Sequence, residues 1–135
     1  KPIVFLTSNN TREMSDALKR RCLHLHIPFP EPALERRILE RRVPGLSAAL
    51  NRELVAFIQA VRQLDLKKQP SISETIDWAK TLLLLNAEHL SIDLVRETLN
   101  VFMKFEGDIA SAGEQLPALL NQARKDAQIH HASHA

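Results

Sequence analysis

The sequence predicts a mainly α-helical protein, in which a helical bundle follows one or two short strands. Leu, Ala, Glu and Arg, which favour helices, are abundant, whereas the chain has only three glycines and no tyrosine. Apolar residues recur at helical spacing from residue 30 onward, and strand-like patterns precede that point. With 135 residues, 44% of them apolar, the chain is long enough to bury the core of one domain.

The first strand is predicted in the stretch IVFLTS, which begins at Ile3. Its first four residues are all apolar, as is typical of a strand buried on both faces of a parallel sheet. A second extended piece is predicted in CLHLHIPFP, where apolar and polar residues alternate before two prolines. Two strands do not make a stable sheet, and the chain begins with Lys1 directly before the first strand. We therefore expect an excised fragment of a longer protein.

Four amphipathic helices are predicted after the strands. The first covers EPALERRILERR and ends at VPG. The second begins at Asn51 as its N-cap, and the third begins at Ser71, which forms a capping-box pattern with Glu74. The fourth begins at Ser91 and ends at Gly107. Their apolar stripes predict the core: Leu34, Ile38, Leu39, Leu54, Phe57, Ile58, Val61, Leu64, Ile76, Ala79, Leu82, Leu83, Ile92, Val95, Leu99, Phe102 and Met103, with Trp78 at the edge.

The last part of the chain has a weaker pattern. Residues 106–115 are small and polar and predict a linker, LPALLNQARKDAQ predicts one more helix, and HHASHA predicts a polar tail.

Composition and charge argue against several classes of protein. The net charge of +2, with basic residues scattered among acidic ones, does not favour a nucleic-acid partner. The most apolar later segment, TLLLLNA, is far shorter than the roughly 20 residues of a membrane-spanning helix. Cys22 is the only cysteine, so no intramolecular disulfide forms, which suits a cytoplasmic location. We interpret Cys22 as a small buried side chain, and His24 with His26 as an exposed strand face rather than a metal site.

Two polar motifs near the N-terminus are candidates for chemistry. Asn9 and Asn10 follow the predicted strand, at the end where open α/β sheets bind ligands, and an amide there can orient a water or a phosphate oxygen. By themselves, two asparagines after a strand more often simply begin a turn. The second motif, KRR at residues 19–21, can be a solvated run of charge or a phosphate-binding group.

Taken together, the order of these elements resembles a known family. The apolar strand, TSNN, a short acidic turn and SDALKRRC resemble the sensor-1 to arginine-finger segment of AAA+ ATPases. The longer stretch TSNNTREMSDALKRRCLHLHIPFPEPALERRIL is similar to the MoxR branch of that superfamily, as are SISETIDWAK and RETLNVFMKFEGDI. The resemblance spans residues 2–110 and lies in the joint order of the elements. It implies the end of the AAA+ core at 1–29, a helical lid at 30–106, and a linker, helix and tail at 107–135.

The resemblance also implies roles for single residues. Asn9 corresponds to the catalytic sensor-1 residue that positions the attacking water, with Asn10 as the alternative. Arg21 corresponds to the catalytic arginine finger that reaches the neighbouring subunit's ATP, with Arg20 as the nearest alternative and Lys19 less favoured. Ser73 stands where the family places a nucleotide-binding sensor-2 arginine. Either that contact is lost or another cation replaces it, and the candidates are Lys67, Lys68 and Lys80.

The implied cofactors are ATP and Mg²⁺, bound by the full-length parent. The glycines of this chain do not form the G-x-x-x-x-G-K-[ST] loop that holds phosphates, and no strand ends in paired acids for Mg²⁺, so the fragment alone should be inactive. By resemblance, the parent hydrolyses ATP in a homo-oligomeric ring, expected to be a hexamer. The ring would remodel or mature a client protein, often one with a von Willebrand factor A domain.

A different class of function is a free-standing helical module without ATPase activity. Such a module would bind a protein or a nucleic acid through the basic helix faces around Arg36, Arg37, Arg41 and Arg42. The stretch IVFLTSNN argues against it, since an independent helical bundle has no need of a buried strand.

Overall fold

The computed structural model describes residues 2–7 and 15–133, with side chains described as far as residue 129. Within these residues the protein is mainly α-helical, as predicted. The helices are α1 (Asp16–Arg21), α2 (Pro32–Arg42), α3 (Ala48–Val61), α4 (Ile72–Leu84), α5 (Ile92–Phe102), α6 (Glu106–Glu114) and α7 (Leu116–Ser133).

The predicted strands are not confirmed. Residues 2–7 and 23–31 form no helix and pair with no strand among the described residues. A strand in a sheet is defined by hydrogen bonds to a neighbouring strand, and the described residues contain no neighbouring strand for either segment. The large apolar side chains of both segments are consequently exposed, from 50% at Phe29 to 104% at Leu23. Cys22, at the end of α1, is exposed as well, so its interpretation as a buried side chain was wrong.

Helix α2 begins and ends as its sequence predicts. Pro32 occupies the first turn, where a missing N–H costs nothing. After Arg42 the chain turns through Gly45, whose φ of 99° lies in the left-handed region that glycine adopts without strain. The VPG stop is therefore confirmed.

The N-cap of α3 was predicted four residues too late. Ser47 caps the helix, and its Oγ accepts a hydrogen bond from the backbone N–H of Leu50 at 3.1 Å. Asn51 lies inside α3, is buried, and donates its side-chain amide to the carbonyl oxygen of Arg36 in α2 at 3.1 Å. Its amide therefore joins two helices instead of beginning one.

The caps of α4 and α5 are confirmed. Ser71 Oγ accepts from the backbone N–H of Glu74 at 3.2 Å, and the Glu74 carboxylate accepts from the backbone N–H of Ser71 at 3.3 Å. This reciprocal pair is the predicted capping box. Ser91 Oγ accepts from the backbone N–H of Leu94 at 3.2 Å and caps α5.

The predicted linker at 106–115 is wrong, because α6 occupies it, and Gly107 lies in the first turn of α6 instead of ending α5. Helix α5 ends at Phe102, with the N–H of Met103 bonded to the Leu99 carbonyl. Asp108 in the first turn of α6 accepts hydrogen bonds from the backbone N–H groups of Lys67 and Lys68, at 2.8 and 3.1 Å. These bonds fasten α6 to the α3–α4 loop.

The core is built around α3, which packs against α2, α4 and α7, while α5 packs against α4, α6 and α7. Phe57, Trp78 and Phe102 meet at its centre, fully buried, with ring centroids 4.3 to 6.3 Å apart. The indole N–H of Trp78 donates to Thr98 Oγ1 at 2.8 Å. Trp78 therefore lies in the middle of the core and not at its edge. No helix in the described part of the chain is long and apolar enough to cross a membrane.

Candidate functional site

The predicted arginine finger lies on α1, a short helix outside the core. Ser15 caps α1 by accepting a hydrogen bond from the N–H of Leu18, and Lys19, Arg20 and Arg21 form its last turn. Cations are favourable there because the carbonyl end of a helix is partly negative. All three side chains are exposed, and no ion pair joins them to another described residue. Among the described residues their side chains have no acidic partner, and they are accessible to another molecule.

The predicted sensor-1 residue and its alternative, Asn9 and Asn10, lie outside the described residues. Their assignment stays a prediction from the sequence.

Ser73 is the second residue of α4, and its side chain is exposed. Of the cations that could replace a missing arginine there, Lys68 lies 3.6 Å from the Glu74 carboxylate, and Lys67 stacks on the Phe105 ring at 4.5 Å. Lys80 is exposed and lies seven residues after Ser73, two turns along the same helix face. Lys80 therefore shares a face with Ser73, whereas Lys67 and Lys68 already have local partners.

The structure does not gather the predicted site residues into one pocket within the described chain. Arg20 and Arg21 are exposed on α1, which has no buried residue, and Ser73 is exposed on α4 in the bundle.

A buried charged cluster that the sequence analysis missed lies where α2, α3 and α4 meet. Arg62 donates from Nη1 and Nη2 to the two carboxylate oxygens of Glu35, at 2.9 and 2.7 Å. Arg62 Nε donates to the carbonyl oxygen of Pro70 at 2.9 Å, and Thr75 Oγ1 lies 3.5 Å from Nη2. The side chains of Arg62 and Glu35 are 4% and 0% exposed. Four of the five guanidinium N–H groups have protein partners and the side chain is buried, so Arg62 is not available to a phosphate.

A sequence signal for this pair exists. Arg62 follows Ile58 by four residues and Val55 by seven, and so falls on the buried face of α3. Glu35 precedes the fully buried Leu39 by four residues on α2. Opposite charges at two core positions of neighbouring helices predict a buried ion pair, because an unpaired buried charge is too costly.

His24 and His26 are exposed in the segment that precedes α2. The described residues contain no group of three or more His, Cys, Asp or Glu side chains arranged to hold a metal ion.

Comparison with known proteins finds no match for this chain among family models, curated proteins or solved structures.

Proposed function

We propose that this chain is the C-terminal part of a MoxR-type AAA+ ATPase, in which α1 supplies the arginine finger and the helical bundle serves as the lid. The observation that carries the proposal is the placement of Arg20 and Arg21. They are exposed at the end of a short helix that lies, in the sequence, between the TSNN motif and the bundle, and no ion pair joins them to another described residue. A guanidinium in that position can stabilise charge on a phosphoryl group of a neighbouring subunit.

The exposed apolar segments beside α1 support the same proposal. Residues 3–6 and the apolar residues of 23–29 would lie in water in the isolated chain, at a cost of roughly 25 cal/mol per Å² of apolar surface. Large exposed apolar patches are typical of surfaces that another part of a protein covers. A parallel sheet contributed by the preceding part of a parent ATPase would cover them and would pair both segments as strands.

In this proposal Asn9 positions the attacking water, with Asn10 as the alternative, and Arg21 acts on the ATP of the next subunit in the ring. The chain has no phosphate-binding glycine loop of its own, so ATP and Mg²⁺ are held by the preceding part of the parent. We place the ring in the cytoplasm, where it would remodel a client protein, with a von Willebrand factor A domain as the first candidate client.

The isolated chain provides the simplest test. Purified protein should release no phosphate from ATP above a buffer blank, because it lacks the groups that hold the triphosphate. The coding sequence upstream should contain a P-loop and a Walker-B strand within about 150 residues, the size of one domain. An upstream region with neither motif would end the ATPase proposal.

Arg21→Ala in the ATP-hydrolysing parent tests the finger itself. Turnover should fall by up to the roughly 10³- to 10⁵-fold associated with such fingers, while ATP affinity changes little. Arg96→Ala is the matched control, since Arg96 is an exposed arginine on α5 of the bundle and should leave turnover unchanged. Arg20→Ala distinguishes the neighbouring candidate.

Mixed rings decide whether Arg21 acts between subunits. An Arg21→Ala subunit with an intact P-loop, assembled with a P-loop-inactive subunit that retains Arg21, should regain activity, although neither subunit is active alone. A mixed ring that assembles normally and stays inactive would show that Arg21 does not act in the neighbouring site.

Asn9→Ala tests the sensor assignment in the same parent. Turnover should fall by roughly 10- to 1000-fold with ATP affinity within several-fold, the effect of removing one hydrogen-bonding group at the reacting centre. If only Asn10→Ala has this effect, the role belongs to Asn10.

A second candidate function is favoured by one observation on α2. Arg37, Arg41 and Arg42 are exposed there, and no ion pair joins them to another described residue. A helical module that binds an acidic partner through this face would retain that binding in the isolated chain. Binding that is lost in an Arg37→Ala/Arg41→Ala variant, with no P-loop upstream, would favour this function over the ATPase.

A further inference from the structure

The segment before α2 first contacts the bundle at Phe29. Exposure along it falls from 104% at Leu23 to 83% at Leu25 and 80% at Ile27, and then to 50% at Phe29. The Phe29 ring lies over the guanidinium of Arg62, with the ring centroid 4.5 Å from Cζ. Phe29 is therefore where this segment first meets the core structure of the bundle.

The Arg62 guanidinium is held rigidly beneath that ring. Its guanidinium is held along both Nη atoms by Glu35 and at Nε by the Pro70 carbonyl, so the plane of the group has one orientation. A guanidinium that is hydrogen-bonded along its edge still offers its flat face, and aromatic rings stack there favourably. The buried ion pair thus fixes the surface on which Phe29 rests.

The same cluster holds the backbone beside Phe29. Gln59 Nε2 lies 3.3 Å from the carbonyl oxygen of Pro30 and 3.0 Å from Glu35 Oε1, so it can donate to both. Phe29 and Pro30 are accordingly fixed by one side-chain contact and one backbone contact. Both contacts come from α3, through Arg62 and Gln59. We call these residues, together with Glu35, the Phe29 clamp.

Prolines extend the effect of the Phe29 clamp in both directions along the chain. The segment reads I-P-F-P-E-P, with Pro28, Pro30 and Pro32 at alternate positions. Each proline fixes its own φ and disfavours helical backbone at the residue before it, so the segment is stiff and extended. Glu31, with φ of −65° and ψ of 156°, has this extended conformation. The orientation set at Phe29 is therefore carried into the residues around it.

We propose that the Phe29 clamp fixes the direction in which the chain leaves the bundle toward α1, so that Phe29 and Arg62 are positioning residues for Arg21. This inference rests on the proposed function. Seven residues, 22–28, separate α1 from Phe29, and they span about 24 Å when extended. In the proposed parent, where this segment is paired in the sheet, a modest change of direction at Phe29 would shift the bundle relative to the arginines of α1 by several ångströms. A misplacement of about 1 Å can already cost about 100-fold in rate.

The clamp itself is tested in this chain by nuclear magnetic resonance. The Phe29 ring should shift the Nε–H signal of Arg62, and Phe29→Ala should remove that shift and lower the ¹⁵N heteronuclear NOE of Glu31. Ile27→Ala is the matched control, since it removes an exposed apolar side chain two residues earlier, and it should change neither signal. An Arg62 signal that is unaffected by Phe29→Ala, or equally affected by Ile27→Ala, would overturn the clamp.

Positioning is tested by kinetics in the ATP-hydrolysing parent. Phe29→Ala should lower kcat by about 10- to 100-fold with KM within twofold, and Phe29→Tyr, which keeps a stacking ring, should retain activity. In an Arg21→Ala background, Phe29→Ala should have no further effect, because it acts through Arg21. Independent, multiplicative losses would overturn the positioning role. A parent with no ATPase activity, combined with the expected resonance shifts, would refute the proposed function while leaving the clamp established.

Discussion

Replacing Arg62 by methionine should lower the free energy of unfolding by about 3–5 kcal/mol. The change removes both charged hydrogen bonds to Glu35, at 2.9 and 2.7 Å, and leaves a carboxylate that is 0% exposed. Gln59 Nε2, 3.0 Å from Glu35 Oε1, is the one side-chain donor that remains to it among the described residues. The Pro70 carbonyl also loses its Arg62 donor. Methionine occupies much of the arginine's volume, so the loss of stability comes more from the unpaired buried Glu35 carboxylate than from a cavity.

The measurement is urea unfolding followed by the fluorescence of Trp78, the only tryptophan of the chain and a fully buried one. With a slope of about 1.5 kcal/mol per molar urea, the midpoint should fall by about 2–3 M. Circular dichroism at 222 nm should give the same midpoint, because a domain of this size is expected to unfold in one transition.

Three further variants separate the ion pair from side effects. Glu35→Met is measured alone and combined with Arg62→Met. The double variant removes both charges and should recover most of the loss, giving a coupling energy of at least about 2 kcal/mol relative to the two single variants. Arg37→Met, on the exposed face of α2, is the matched control and should change stability by less than about 0.5 kcal/mol. The reasoning is refuted if Arg62→Met costs no more than Arg37→Met, or if the two core substitutions are simply additive.

Three smaller effects on stability can be measured in the same urea titration. Ser71→Ala should cost about 1 kcal/mol by removing the capping box with Glu74, and a cost near zero would contradict the role of that cap. Asp108→Asn should lower the free energy of unfolding by about 1–3 kcal/mol, since an amide offers only one acceptor oxygen to the two backbone N–H groups of the α3–α4 loop. Glu114→Gln, at the other end of α6, is its control. Thr98→Val should cost about 1 kcal/mol and shift the emission of Trp78, because it removes the acceptor of the indole N–H without changing the size of the side chain; an unchanged spectrum would argue against that bond.

Local sequence patterns predicted the mainly helical class of fold and the boundaries of several helices. These features depend on neighbouring residues: Pro32 and the VPG turn bound α2, and Ser71 with Glu74 begins α4. Apolar residues at helical spacing mark most of the buried faces, although Leu34, Leu83 and Ile92, predicted for the core, are exposed. The resemblance to MoxR-type ATPases also comes from the order of short motifs, and Arg21 is assigned on that basis. The exposure of α1 agrees with the role but adds no geometry for the reaction.

Features that depend on contacts between residues distant in the sequence were seen only in the tertiary structure. Asn51 reads as an N-cap because asparagine favours that position, but a bond to the α2 backbone, fifteen residues away, places it inside α3. A linker was predicted at residues 106–115 because their apolar content is low. Asp108, however, accepts a hydrogen bond from the backbone of a loop forty residues earlier, and residues 106–114 are helical. Arg62 and Glu35 are 27 residues apart, and the helix propensities of neighbouring residues do not predict that the two side chains pair. Only the packing of α2, α3 and α4 brings these two charges together, excludes water from them and gives Phe29 a fixed surface on which to rest.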